Sequence, residues 1–371
     1  MLERLAGNDA LKAELGTALR GGRLPHAVLL VGEPGCGAGF AARCLAADYL
    51  YPAGGPHAEA VLKKEDTECL VLQGEGASGQ IPVKKVREAR EAIQRSALST
   101  DAAGRVLFIY GAQNLNGSSA NAMLKIIEEP PEGVLFLLTA TSAATVLPTI
   151  RSRCAAYTIA PVPAADCAAR LKAERLPAKA AEELAFLYEG HIGTALKSWN
   201  DPTAKAALGL AKTLCGYAAQ GDTYRALALL TKYEHDKDGF AALLWTLDQL
   251  CSAVLRRPAY GQEQCGGLTP AGAAKILNAD ARARKSLTGN GNLRLNVAVL
   301  AGEIARKAFP RGERRPAGPD EGETYRQQPI NGRLRKLRPH QSAVRAADSF
   351  PRGGSRPTCA GEEFCPTTML K

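Results

Sequence analysis

A short apolar run that leads into a glycine-rich loop and then a helix is the feature that most constrains the fold. Ala27–Val31 reads AVLLV, residues 32–39 read GEPGCGAG, and the next residues, FAARCLAADYL, have a helical pattern. Strand, glycine loop and helix in this order are the elements of the phosphate-binding loop GxxxxGK[ST]. We therefore predict that a sheet of the nucleotide-binding type is built around this unit.

Two further runs have the same buried-strand character. Arg105–Tyr110 reads RVLFIY and residues 134–139 read VLFLLT, and the SSANAMLKIIEE between them fits a helix that ends at Pro130 and Pro131. Strands that alternate with helices predict a parallel sheet covered on both faces. The fold class that we predict for residues 1–160 is therefore α/β.

After residue 160 the pattern changes to helices without strands. We predict a small helical domain over residues 161–203 and a larger all-helical domain over residues 204–310, where apolar residues recur at three- and four-residue steps. Residues 311–371 are rich in Arg, Gly and Pro and have little periodicity, so we expect a disordered basic tail there.

Composition excludes several classes of protein. The 371 residues are 46% hydrophobic and 23% charged, values typical of globular chains. No apolar run approaches the roughly 20 residues that cross a bilayer, and no signal-peptide pattern follows Met1, so we expect a cytoplasmic protein without membrane contact.

The net charge is +10, and residues 311–371 supply half of this excess of basic over acidic side chains, with 12 basic and 7 acidic residues. This charge permits nucleic-acid binding without indicating it.

The glycine loop lacks the two side chains through which such a loop acts on a nucleotide. Ala38 stands where a lysine neutralises the β- and γ-phosphates, and Gly39 stands where Ser or Thr binds Mg²⁺. A degenerate loop of this kind excludes productive hydrolysis. It is compatible with a plain turn and with residual binding of nucleotide or phosphate. The positions that define it are Gly32, Gly35, Gly37, Ala38 and Gly39.

The end of the RVLFIY strand lacks a second catalytic element. An ATPase with an active phosphate-binding loop places an aspartate there to hold Mg²⁺, whereas this chain has Tyr110 and Gly111. No carboxylate pair suited to the two-metal chemistry of a polymerase stands out either. We therefore expect neither intrinsic ATPase nor polymerase activity.

Three segments in this order resemble the clamp-loader branch of the AAA+ ATPases: RLPHAVLLVGEPGCG, SSANAMLKIIEEPPEGVLFLLTAT and VLPTIRSRC. The resemblance covers about residues 5–200, and GNGNLRLNVAVLAGEIARKA is similar to the last collar helix of that family. It implies a RecA-like domain, a helical lid and a collar that holds five subunits in a ring. The lost loop side chains imply the stator of that ring, a subunit commonly unable to hydrolyse ATP.

The resemblance also implies the partners of the chain. It places the chain in a hetero-pentamer with the gamma/tau and delta subunits of bacterial DNA polymerase III, which loads the sliding clamp on primed DNA. Through that holoenzyme the chain would be associated with DNA-directed DNA polymerase activity, with no cofactor of its own required. An ATP-hydrolysing subunit of the gamma/tau type and a stand-alone DNA-binding protein are the alternatives.

The triplet Ser152, Arg153 and Cys154 matches the SRC motif of the family. The resemblance implies that Arg153 is an arginine finger, projected in trans into the ATP site of a neighbouring subunit. A guanidinium suits this role because it spreads positive charge over the departing γ-phosphate. Outside this context, a solvated or ion-paired surface arginine would be the ordinary interpretation.

Other family positions carry weaker signals. Thr139 and Thr141 stand where the family keeps a polar sensor of the γ-phosphate, and we expect plain strand-end residues. Gly193 stands where ATP-hydrolysing members of the family are expected to carry a second sensor, an arginine that contacts the nucleotide. His191 fits a residue at the start of a helix. Lys125, Glu128 and Glu129 in NAMLKIIEEPP mark the family. An exposed ion pair between Lys125 and Glu129, one helical turn apart, and a helix stop at the two prolines account for their charges.

Two segments bear on metal and nucleic acid. Relatives usually carry a four-cysteine zinc module after the loop helix, but residues 51–76 offer one histidine and one cysteine, and the ten cysteines of the chain include no CxxC pair. We therefore predict no zinc. Residues 83–95 form a basic amphipathic pattern that fits either a solvated face or a contact with partners or phosphates. Its cations are Lys84, Lys85, Arg87, Arg90 and Arg95.

Overall fold

Five parallel strands form the sheet in the first half of the chain. The computed structural model describes residues 1–76, 79–94, 101–289 and 291–305. The sheet has the order β2-β3-β4-β1-β5, and every neighbouring pair is parallel. The strands are β1 (Ala27–Val31), β2 (Cys69–Gln73), β3 (Arg105–Tyr110), β4 (Val134–Ala140) and β5 (Ala155–Thr158).

The central strands are buried on both faces, which explains their continuous apolar sequences. Every residue of β1 and β4 is buried, as expected for a parallel sheet with helices on each side. The three predicted strands are β1, β3 and β4. The edge strands β2 and β5 read CLVLQ and AAYT, have exposed positions and are not among the predicted strands.

Six helices accompany the sheet, and alternating strand residues contact opposite groups of them. Val28 and Leu30 pack in one apolar cluster with the helix after the glycine loop, whereas Leu29 and Val31 pack in a second cluster on the other face. This arrangement confirms the predicted α/β class. The helices are α1 (Asp9–Arg20), α2 (Ala38–Leu50), α3 (Pro56–Lys63), α4 (Val83–Ile93), α5 (Gly117–Glu128) and α6 (Pro148–Arg151).

The described residues after Thr158 are helical, with no strand among them. Several of these helices begin at an aspartate or threonine whose side chain accepts a backbone N–H, as Asp201, Asp222 and Thr269 do. The helices are α7 (Ala164–Ala173), α8 (Ala178–Leu187), α9 (Ile192–Asn200), α10 (Pro202–Gln220), α11 (Thr223–Leu230), α12 (Lys237–Arg256), α13 (Pro258–Gln264), α14 (Pro270–Thr288) and α15 (Leu293–Ala305).

One apolar cluster runs from Val162 through α7–α9 into α10–α15. The predicted boundary between residues 203 and 204 therefore falls near the start of α10 without a break in the core. The predicted tail, residues 311–371, lies outside the described residues. None of the described helices combines the length and apolar character that a membrane span needs.

Candidate functional site

A cavity of about 400 Å³ lies where the glycine loop meets the carboxyl ends of the strands. Ligands of open α/β sheets bind at this edge. The glycine-loop and strand-end residues singled out in the sequence meet here, because β1, β3 and β4 end side by side. The cavity is lined by Gly32, Gly35, Gly37, Ala38, Gly39, Tyr110, Gly111, Thr139, Thr141 and Gly193, together with Arg43 and Gln113.

Two glycines of the loop adopt backbone conformations that side chains disfavour. Gly35 and Gly37 have φ of +92° and +106°, a region that favours glycine because it has no Cβ. α2 begins directly after Gly37 without a side-chain cap. Its N-terminus therefore carries the partial positive charge of the helix dipole toward the cavity.

Arg43 occupies part of the space left by the missing loop side chains. It lies one turn after Gly39 on α2, and helical side chains lean toward the N-terminus. A Cβ on Gly39 would lie 3.9 Å from Arg43 Nη1 and 3.5 Å from Tyr110 Cε1. The phosphate-loop motif ends at Gly39 and does not include Arg43. The sequence signal for Arg43 is its spacing of four residues from Gly39 on a helix, which puts the two residues on one face.

Tyr110 lies beside Arg43 in this cavity. Its hydroxyl and the Arg43 Nε are buried and have no hydrogen-bond partner within the described part of the chain. Burial raises the pKa of the Tyr110 phenol, an effect that the neighbouring Arg43 guanidinium opposes. The strand end thus presents a neutral phenol where a hydrolase needs a carboxylate.

Thr139 links the ends of two strands. Its hydroxyl oxygen accepts a hydrogen bond of 3.2 Å from the backbone N–H of Gly111, and the residue is buried. This contact joins β4 to the turn after β3. Thr141 is exposed on the cavity wall one residue beyond β4.

The start of α9 lies directly on the glycine loop. The Gly193 backbone N–H donates to the carbonyl oxygen of Gly35 at 2.8 Å, and the Thr194 hydroxyl donates to the carbonyl oxygen of Pro34 at 3.2 Å. The fit is tight, since a Cβ on Gly35 would lie 2.0 Å from Thr194 Oγ1. Protein groups therefore hold this part of the loop.

His191 adds a second contact between the same two segments. Its Nε2 lies 3.1 Å from Glu33 Oε2, and its Nδ1 lies 2.8 Å from the carbonyl oxygen of Tyr188. The residue immediately precedes α9. Both ring nitrogens thus have partners that fix the imidazole between the loop and the helix start.

The SRC triplet lies between α6 and β5, and Arg153 is not among the residues that line the loop cavity. Arg153 Nη2 lies 2.5 Å from Glu128 Oε1, and Nη1 donates to the carbonyl oxygen of Thr149 at 3.1 Å. Its side chain is 38% exposed.

The other two residues of the triplet are Ser152 and Cys154. Ser152 Oγ donates to the carbonyl oxygen of Thr149 at 3.1 Å. Burial raises the pKa of Cys154 to about 11, so its thiol remains protonated at neutral pH.

A second, smaller cavity of about 220 Å³ lies between α4 and α5. Arg87 and Arg90 from α4 and Lys125 from α5 line it with Ser118 and Asn121. These three cations form no ion pair with any residue that the structure describes. Elsewhere on α4, Lys84 lies 3.8 Å from Glu88, and Lys85 pairs with Glu75. Arg95 lies outside the described residues.

Residues 51–76, which the structure describes in full, contain α3 and β2. Burial raises the pKa of Cys69, the cysteine of this stretch, to about 12. Across the described ranges, no cluster of His, Cys, Asp and Glu is arranged to hold a metal ion. The absence of zinc and of any required cofactor remains a prediction.

Comparison with known proteins shows which family the chain resembles. Residues 7–163 match the family described as DNA polymerase III, delta subunit. The gamma/tau subunit of Mycobacterium tuberculosis is 34% identical over 155 residues, which are 40% of this chain and 27% of that relative. The delta′ subunit of Escherichia coli is 29% identical over 210 residues, 56% of this chain and 57% of that relative.

The chain spans between about a quarter and somewhat more than half of these relatives. A solved structure of a DNA polymerase III gamma subunit-related protein from Thermotoga maritima is similar at a TM-score of 0.41 and 17% identity, over 79% of this chain and 99% of that one. Over residues 7–163, the chain is therefore similar to the delta, delta′ and gamma/tau subunits of DNA polymerase III.

Proposed function

We propose that this chain is the non-hydrolysing stator subunit of a bacterial DNA polymerase III clamp loader, equivalent to delta′. In this role it helps to load the sliding clamp on primed DNA and supplies Arg153 to the ATP site of a neighbouring subunit. The observation that carries the proposal is that two features of the chain lie in different places, the degenerate loop and the exposed arginine. Its own loop lacks catalytic side chains, and its exposed Arg153 lies away from that loop.

The first part of the proposal concerns hydrolysis. Ala38 and Gly39 provide neither a cation for the γ-phosphate nor a hydroxyl for Mg²⁺, and Tyr110 provides no carboxylate at the strand end. Arg43 supplies positive charge near Gly39, but a guanidinium cannot hold a metal ion. These features support anion binding at most and argue against ATP turnover by this chain.

The second part concerns the trans-acting arginine. Arg153 is partly exposed on a short segment between α6 and β5, where a neighbouring subunit can reach it. A guanidinium presents several N–H donors in fixed directions and stays charged at any physiological pH. It is therefore suited to stabilising charge on a phosphate that is leaving in another subunit.

The third part concerns assembly. An exposed apolar patch on α11 and α15 consists of Tyr224, Leu227, Leu295 and Val299, of which Tyr224 is 82% exposed and Leu295 62%. The two helices pack against each other, and we propose that these four side chains belong to one surface. Contiguous apolar surface of this kind is typical of protein interfaces. We assign it to contact with gamma/tau or delta subunits in a hetero-pentamer.

The experiment is ATP turnover by a reconstituted clamp loader that carries the wild-type chain or Arg153→Ala. We expect the variant complex to assemble and to lose about 10³-fold or more in turnover, the effect of removing an arginine finger. Arg151→Ala is the matched control, because Arg151 is exposed two residues earlier and donates to the Ala143 carbonyl oxygen. Unchanged turnover with Arg153→Ala would refute the trans-acting role. Turnover by the isolated chain would favour a gamma/tau-type ATPase instead.

A second candidate function is direct contact with DNA through the cavity between α4 and α5. The observation that favours it is the group of unpaired cations, Arg87, Arg90 and Lys125, which suits phosphate oxygens. DNA binding by the isolated chain should weaken steeply with salt and should fall with Arg87→Ala and Arg90→Ala. Lys84→Ala, on the same helix but beside Glu88, is the control. Equal effects of all three variants would speak against a specific site.

A further inference from the structure

We infer that Glu128 is the positioning residue of Arg153. Its carboxylate holds the guanidinium in the orientation from which the arginine meets a phosphate of the neighbouring subunit. This inference rests on the proposed function and adds a second residue to it. Glu128 does not touch the nucleotide in this scheme and acts only through Arg153.

The contacts around the guanidinium fix its direction. Nη2 lies 2.5 Å from Glu128 Oε1, and Nη1 donates to the carbonyl oxygen of Thr149 and to Ser152 Oγ, at 3.1 and 3.3 Å. Arginine has five N–H donors, so these contacts leave others for phosphate oxygens. The carboxylate and the carbonyl hold different nitrogens of the same planar group, which restricts both its position and its rotation.

The position of Glu128 is not explained by the stability of its own helix. It is the last residue of α5, and a negative charge at the C-terminus of a helix is unfavourable because of the helix dipole. Pro130 ends the helix here, since the residue before a proline avoids the helical conformation. The Arg153 guanidinium supplies the positive charge that this helix end favours.

The pair is also a poor candidate for a purely structural contact. The Arg153 and Glu128 side chains are 38% and 46% exposed, and ion pairs at such exposed sites contribute little to folding stability. Removing the carboxylate should therefore leave the folded chain and the assembled complex intact. What it changes is the freedom of the arginine, because a long side chain without an anchor samples many rotamers.

Preorganisation of this kind acts on the rate of the chemical step. A charged group that is already oriented toward the transition state does not have to be immobilised during the reaction. Loss of Glu128 should therefore lower kcat. The KM for ATP should change little, because the nucleotide is bound by the neighbouring subunit.

The test compares Glu128→Gln with Glu129→Gln in the reconstituted, clamp- and DNA-stimulated complex. Glu129 is the next residue, is exposed, and forms no ion pair with any described residue. We expect Glu128→Gln to lower kcat about tenfold with little change in KM, and Glu129→Gln to behave as wild type. In the Arg153→Ala background, Glu128→Gln should cause no further loss.

A second measurement follows the arginine directly in the isolated full chain. The rate at which phenylglyoxal modifies Arg153, measured by mass spectrometry with Arg151 as internal reference, should rise severalfold in Glu128→Gln and not in Glu129→Gln. This readout reports the anchoring of the guanidinium and does not depend on ATP turnover.

The outcomes separate the two proposals. If Arg153→Ala abolishes turnover but Glu128→Gln leaves kcat at the wild-type value, the inference fails and the proposed function stands. A further tenfold loss from Glu128→Gln in the Arg153→Ala background, or an unchanged modification rate, also overturns the inference. If Arg153→Ala leaves turnover unchanged in an assembled complex, the proposed function fails, and Glu128 has no reaction to support.

Discussion

The backbone N–H of Gly193 donates a hydrogen bond to the carbonyl oxygen of Gly35 at an N···O distance of 2.8 Å. The start of α9 therefore contacts the glycine loop directly. With the Thr194 and His191 contacts, this bond connects the loop and the helical region through protein groups. A rigid connection of this kind agrees with the proposed role as a stator.

Replacing Gly35 should disrupt this connection. Gly35→Ala places a Cβ 2.0 Å from Thr194 Oγ1 at a φ of +92°, so both backbone strain and a clash oppose it. We expect a loss of about 3 kcal/mol in the free energy of unfolding, measured by urea titration. Gly54→Ala is the control, because Gly54 has a φ of +76° with nothing within 4 Å of its Cβ position, and it should lose about 1 kcal/mol. Equal losses would show that the contact with α9 adds nothing.

Restoring the loop side chains should restore nucleotide binding without hydrolysis. Ala38→Lys combined with Gly39→Ser supplies the cation and the hydroxyl, and a Cβ on Gly39 has ordinary contacts of 3.5 Å or more. We expect at least tenfold tighter binding of Mg-ATP by calorimetry, because a charge-assisted contact to phosphate is worth about 1.5 kcal/mol or more. Turnover should stay undetectable, since Tyr110 and Gly111 provide no carboxylate for the metal. ATP hydrolysis by the double variant would contradict this account of the strand end.

A charge placed in the apolar patch should prevent assembly. Leu295→Asp puts a carboxylate at a position that is 62% exposed in the isolated chain and that we expect to be buried in the complex. Burial of an unpaired charge costs several kcal/mol, so the affinity for partner subunits should fall at least 100-fold in sedimentation or titration experiments. Leu255→Asp, at a site that is 45% exposed on α12, should assemble normally. Normal assembly of Leu295→Asp would remove the patch from the proposed interface.

Asp280 should make the stability of the helical region depend on pH. Burial raises the pKa of this carboxyl to about 6, against the opposing effect of Arg284, whose Nε donates to Oδ2 at 2.6 Å. The folded chain therefore holds a proton that the unfolded chain releases near pH 4. The stability from this group is present below pH 4 and is lost as pH rises to about 6.

Asp280→Asn provides the measurement for that pH effect. The free energy of unfolding of the wild type, minus that of the variant, should decrease between pH 4 and 6 and then become constant. Asp248, which raises the pKa further, offers a comparison: Asp248→Asn should shift the decrease to lower pH. A difference that rises over the same interval would mean that Arg284 outweighs burial.

The structure confirms the predicted fold class, and the reason lies in local sequence. The AVLLV, RVLFIY and VLFLLT runs are buried on both faces of the sheet, so their apolar residues are continuous and recognisable. The edge strands β2 and β5 were not predicted. In β5, AAYT, exposure lets alanine and polar residues replace larger apolar ones, whereas β2, CLVLQ, is mostly apolar and its sequence could have indicated a strand. The basic pattern over residues 83–95 corresponds to α4, which ends at Ile93.

Part of the candidate site could also be predicted from the sequence, and part could not. The degenerate loop, the strand end without an aspartate and the SRC triplet could all be read from short stretches of chain. The contacts of Glu128 and Arg43 could not be read from such stretches, because their partners lie elsewhere in the fold or outside the motif. Glu128 fitted an ordinary helix end, and Arg43 lay outside the motif.

The sequence alone determined the central strands β1, β3 and β4 and the glycine loop between β1 and α2, because these elements follow from the order of apolar residues and glycines within a few positions. Only the tertiary structure decided which distant residues meet: Glu128 with Arg153, Gly35 with Gly193, and Arg87 with Lys125. Such meetings depend on how whole helices pack against a shared core. A side-chain contact forms only when two atoms come within a few ångströms of each other, and the periodicity of residues along the chain does not specify such a distance.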